Sequence, residues 1–175
     1  MITHNEIVSM VQAATEEVCV TMLAVEPVRE EAYQDTTAAT NSNGILSLIG
    51  LAGAWAGTGS ISCSAELACL LSSRLMMTEY DTVNDDVLDA IAEVTNMIIG
   101  NVKTSLEEHL GPMGLSIPTV IHGRNFASRT IGVQEWTIVP FHIEGHRIEI
   151  QICVAKIRQA ERPRLTLTPE HAVQI

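Results

Sequence analysis

The chain has 175 residues, 46% hydrophobic and 18% charged, which suits one domain with a sizeable core and excludes wholesale disorder. Aromatic residues make up only 3%, so that core must be built from Ile, Val, Leu, Ala and Met. A formal net charge of −11 argues against nucleic acid or an anionic membrane as partner, since both reward basic patches, and suits a protein partner that presents Lys or Arg.

At the start, Thr3 and Glu6 have the spacing of a capping box, and Ile7, Val11, Ala14 and Val18 recur at helical intervals. The pattern predicts an amphipathic helix over residues 4–22. Pro27 follows in an extended stretch. Residues 30–44 are polar and end in Asn43-Gly44, a turn signal. The run ILSLIGLAGAWAGTGSISCS reads as a β-hairpin whose Gly-rich centre, Gly53 to Gly59, forms the turn. Ser64 is placed to cap a helix over residues 65–76.

A polar break, TEYDTVND, precedes a long helix at about 84–109, stopped by Gly111-Pro112. SIPTVIHG reads as a short strand. Residues 131–140 and 144–158 read as two longer strands around Glu144-Gly145. The tail, 159–175, has two prolines and no clear period, and is expected to be loosely held. This order predicts an α+β fold, with helices on one face of a largely antiparallel sheet. A weak internal echo accompanies it. An offset of 80 residues lays Val11 over Ile91 and Val18 over Ile98, with Ala13 over Glu93 and Glu16 over Asn96.

No basic, apolar leader opens the chain, no run approaches the 18 apolar residues of a membrane span, and Cys19, Cys63, Cys69 and Cys153 form no CxxC pair. These features predict a cytoplasmic protein with reduced, buried thiols.

The long helix contains DAIAEVTNMIIGN. At about 100° per residue, Glu93, Asn96, Gly100 and Lys103 all fall within about 40° of Asp89. Val87, Ile91, Val94, Ile98 and Val102 gather around the opposite pole. The polar stripe has two readings, a solvated face or a working surface. Asn and Gly weaken a helix, Gly by about 1 kcal/mol against Ala, and a merely wet face needs neither. Gly100 removes bulk beside Asn96, and Met97 and Ile99 flank the stripe as an apolar rim.

In this stretch the chain resembles the CheC/CheX/FliY family of phosphatases, which act on the phosphorylated receiver protein CheY. The family motif, [DS]xxxExxN followed downstream by Pro, is matched by Asp89, Glu93, Asn96 and Pro118. The extension Gly100, Asn101, Lys103 and the stretch GLAGAWAGTGSISCSAELACLLSSRL at 50–75, a Gly-rich hairpin, strand and short helix, match as well, the similarity covering about residues 4–158. The resemblance implies the CheC-like fold, two tandem α-β-β-β halves with two long helices on one face of the sheet, in a single domain over 1–175. The equivalent helix offers only Ser9-xxx-Ala13-xx-Glu16, so one site is implied, the CheX-like pattern.

The resemblance further implies a hydrolase acting on the aspartyl phosphate of a CheY-like receiver domain. Glu93 and Asn96 are then the catalytic pair, Glu93 pairing with the receiver's lysine and Asn96 orienting the attacking water. Asp89, Met97, Gly100 and Lys103 are partner contacts. No cofactor of its own is implied, Mg²⁺ being expected on the receiver, and a homodimer is expected, for which strands 131–140 and 144–158 offer an edge. Two other readings stay open: a receiver-binding or flagellar-switch-like scaffold module without catalysis, and a metal row formed by His142, Glu144 and His146 in HIEGH.

Overall fold

The computed structural model describes residues 2–36, 43–124, 126 and 135–157. The first helix, α1 (His4–Met22), opens with the expected capping box: Thr3 Oγ1 accepts from the Glu6 amide, and the Glu6 carboxylate accepts from the Thr3 amide at 2.7 Å. Two short strands follow, β1 (Val28–Arg29) and β2 (Tyr33–Asp35), then the hairpin β3 (Asn43–Gly53) and β4 (Trp55–Cys63). Next come α2 (Ala65–Met76), capped by Ser64, and α3 (Asp85–Leu110), capped by Asn84. The chain continues through β5 (Met113–Leu115), β6 (Thr119–Arg124), β7 (Trp136–Ile143) and β8 (His146–Lys156).

All described strand pairs are antiparallel and form one eight-stranded sheet. From one edge inward the order is β1 and β2, then β7, then β8; from the other it is β5 and β6, then β3, then β4. Each half therefore lends its first strands to the other half's edge, and β4 meets β8 at the centre, with Gly59 opposite Ile152. The helices carry the same symmetry. The buried residues of α1 are Ile7, Val11, Ala14, Thr15, Val18 and Cys19. Each stands 80 residues before a buried residue of α3: Val87, Ile91, Val94, Thr95, Ile98 and Ile99. The echo in the sequence is thus a repeat of burial and of topology.

Sheet residues alternate between two faces. Ile45, Ile49, Ile61, Phe141, Ile148, Ile150 and Ile152 point into the main core, which the apolar sides of α1, α2 and α3 complete. The four cysteines are buried and none is in a disulfide, and burial pushes the Cys63 thiol up to about 12.

Several sequence expectations shift. Asn43-Gly44 begins β3 rather than forming a turn. Gly44 has φ +124°, and a Cβ there would stand 2.3 Å from the Cys63 carbonyl oxygen, so the glycine serves a close strand approach. The hairpin turns at Ala54, and Gly57 and Gly59 lie inside β4. β5 was not read from the sequence, being only three residues long; the strand expected in SIPTVIHG is β6. The last two strands run over 136–143 and 146–156: Glu144 and Gly145 form the turn rather than opening the second strand, and Glu135 and Ile157 lie outside both, while residues 131–134 and 158, like the tail, lie outside the described residues. β8 is paired on both sides and β7 is covered by β1 and β2, so neither offers the free edge expected of it.

Candidate functional site: the outer face of α3

The rotation of α3 is fixed from beneath. Ile99 is fully buried and its side chain would lie 2.7 Å from a Cβ at Gly59, so only glycine at 59 lets the helix settle this deeply on β4. The buried Thr95 hydroxyl donates to the Ile91 carbonyl at 2.8 Å, which satisfies it without a partner outside the helix. Ile99 is therefore core rather than rim, and the buried side of α3 is wider than the five-residue seam read from periodicity, taking in Thr95, Ile99 and Leu106.

With that side inward, Asp89, Glu93 and Asn96 are exposed, while Met97 and Gly100 are half-buried beside them. Glu93 and Asn96 stand three residues apart and so on neighbouring turns of one face. Among the described residues neither side chain has a hydrogen-bond or ion-pair partner. Asp85 and Asp86 lie in the first turn, so the N-terminal half of the face is acidic, which suits both the helix dipole and a cationic partner. A Cβ at Gly100 would meet only Leu115 Cδ1, at 3.8 Å, an ordinary contact. The fold itself does not demand glycine there.

Lys103 differs from the rest of the stripe. It is half-buried and pairs with Glu107 at 2.9 Å, one turn on. Glu107 also accepts from the Met113 amide at 2.7 Å. That amide first, and Lys103 second, hold the Glu107 carboxyl below its usual range. The sequence assigned Lys103 to a partner and assigned nothing to Glu107; together they fasten α3 to β5.

The matching face of α1 carries Ser9, Ala13 and Glu16. Glu16 is held by Arg29 of β1, with a guanidinium–carboxylate contact of 2.8 Å, and that hydrogen bond keeps its carboxyl below the usual range. Glu17 accepts from Asn101 Nδ2 at 3.4 Å. The acid–amide pair is thus present on α3 alone.

The metal row fails on geometry. His142 lies on the sheet face away from the helices, 3.1 Å from Glu30, whereas His146 follows the Glu144-Gly145 turn and falls on the helix side. Among the described residues, no group of three His, Cys, Asp or Glu side chains is arranged to hold a metal ion. A cavity of about 450 Å³ opens at the start of α2, lined by Ser64, Glu66, His122 and Arg124 among others, and takes in none of the α3 stripe. The stripe lies on the outer face of a helix rather than in that cavity, which fits a macromolecular substrate better than a small one.

The helices on one face of a two-fold-like antiparallel sheet make this a CheC-like fold. A CheC-like superfamily protein from Shewanella sp. PV-4 superimposes with a TM-score of 0.76 at 20% identity, covering 89% of this chain and 99% of its own. The model of the family described as chemotaxis phosphatase CheX matches residues 45–142, more than half of the chain, and the chain belongs to that family. The CheY-P phosphatase CheX of Thermotoga maritima is 34% identical over 91 residues, 51% of this chain; the match spans 58% of that relative's length. CheX of Borrelia burgdorferi, solved as a CheX-CheY-BeF3-Mg²⁺ complex, is 29% identical with a TM-score of 0.70, covering 88% of this chain and 99% of that one.

Proposed function

We propose that this protein is a phosphatase that removes the phosphoryl group from the aspartate of a CheY-like receiver domain, with the outer face of α3 as its site. The observation that carries the reading is the pair Glu93 and Asn96: exposed, on adjacent turns, and without an internal partner among the described residues. Membership of the CheX family supports it, as does a relative whose name is CheY-P phosphatase.

Asn96 enters the receiver's active site and orients the attacking water for in-line displacement. An amide suits this because it both donates and accepts, and brings no charge near the phosphoryl oxygens. Glu93 pairs with a receiver lysine and sets the register of docking. Asp89, Met97 and Gly100 form the surrounding contact; Gly100 keeps the surface low where the receiver backbone approaches. Lys103 acts from behind by holding β5. The protein needs no metal of its own, Mg²⁺ being held by the receiver; a Borrelia relative solved as a CheX-CheY-BeF3-Mg²⁺ complex supports this reading.

In this reading the chain acts as a single cytoplasmic domain and as a homodimer.

The test is phosphate release from a panel of phosphorylated receiver domains. Acceleration of at least one, lost on Asn96→Ala, is the expected result. Tight binding to a phospho-receiver with no change in its phosphate lifetime would leave only the scaffold reading.

A further inference from the structure

The connection between β5 and β6, residues 116–118, runs along the edge of the sheet beside α3. It is held unusually firmly for so short a link. Glu107 ties Met113 to α3, and Leu115 packs against the core and sits next to Gly100. The Ser116 amide donates to the Gly50 carbonyl at 2.9 Å, and Ser116 Oγ accepts from the Gly50 amide at 2.8 Å. Pro118 then fixes its own φ and restricts the residue before it to extended conformations.

The residue held between these anchors is Ile117, with 87% of its surface exposed. A single exposed apolar side chain is ordinary by itself. This one stands on a rigid mount, two residues past Leu115, whose side chain lies beside Gly100 of the stripe. The contact between Leu115 and Gly100 places the link next to the low point of that stripe. A receiver domain seated over Asn96 and Gly100 must therefore also cover the 115–118 edge. An apolar side chain there, ordered beforehand, loses little entropy on docking and excludes water from the rim of an acidic face.

We infer that Ile117 is a specificity-determining contact to the receiver domain: it sets affinity for the docked partner and takes no part in the chemistry. This rests on the receiver-phosphatase reading, and the experiment separates the two. Binding to receivers loaded with beryllofluoride and Mg²⁺ is measured together with steady-state dephosphorylation, for the wild type, Ile117→Ser and Val28→Ser. Val28 is 64% exposed on β1, at the opposite edge of the sheet, and serves as the control.

Ile117→Ser is expected to weaken binding and raise KM by about 5- to 30-fold, the range of an interface anchor, with kcat nearly unchanged. Val28→Ser is expected to change neither. Equal binding by Ile117→Ser and the wild type overturns the inference, as does equal weakening by both variants. A wild type that binds receivers yet hydrolyses none overturns the phosphatase reading, while Ile117 is still judged on the binding data. A wild type that binds no receiver overturns both.

Discussion

α1 and α3 bury matched positions 80 residues apart and lie against one face of the same sheet, yet they present different surfaces. On α3 the outward residues at the matched positions are Glu93 and Asn96, both left without internal partners among the described residues; on α1 they are Ala13 and Glu16, and Glu16 is tied to Arg29. The inner face of each helix is constrained by packing, so the repeat persists there. The outer face is not so constrained, and on α1 it carries a structural ion pair. The difference teaches that the scaffold does not dictate the site: the same helix, in the same place, can hold either.

The comparison can be broken first at its shared inner face, where the largest effect is expected. Ile98→Ala should lower stability by about 2–5 kcal/mol, and Val18→Ala, its counterpart, should also be clearly destabilising, as measured by urea unfolding. A negligible loss at either would remove the claim that the inner faces of both helices build the core. Gly59→Val should cost about 1–3 kcal/mol, because the new side chain enters the space Ile99 occupies; the rotation of α3, and with it phosphatase activity, should suffer too. Its counterpart at the helix ends is milder: Thr3→Ala, which removes the capping box of α1, and Asn84→Ala, which removes the cap of α3, should each cost about 1 kcal/mol.

The smallest effect expected is that of acid. Arg29 lowers the carboxyl of Glu16, and the Met113 amide and Lys103 lower that of Glu107, so each folded-state pKa lies below the unfolded value. Such a group contributes stability that is fully present above the unfolded pKa, near 4.5, and is lost as pH falls through the lower folded value. Both carboxylates are half-buried in pairs at the surface, where solvent still screens them, so the loss should be slight. Carboxyl titration followed by NMR should show both midpoints below that of an ordinary glutamate, and Lys103→Ala should raise the one at Glu107 only.

Much of this was legible in the sequence where a long period or a cap states its own limits. The helices at 4–22 and 65–76 begin and end where Thr3, Ser64 and the apolar spacing put them, and Glu93 and Asn96 are exposed as the stripe required. The misreadings came where a side chain's role depends on distant chain. Ile99 lies on the margin of the stripe and is claimed by Gly59, forty residues earlier. Gly57 and Gly59 look like a turn because glycine signals both turns and close approach. The bracing of β5 by Glu107 is invisible in the sequence because the Met113 amide reaches that carboxylate only after the chain reverses at Gly111. The turn at Glu144-Gly145, by contrast, was legible, and it is what puts His142 and His146 on opposite faces of the sheet.

The difference between the two outer faces is tested most directly by one set of rates: dephosphorylation of a responsive phospho-receiver by the wild type, Asn96→Ala and Glu16→Ala, all shown to be folded. Asn96→Ala should lose about 100-fold or more in kcat while Glu16→Ala stays near the wild-type rate. Near-normal turnover by Asn96→Ala, or equal losses in both variants, would contradict the assignment of the site to α3.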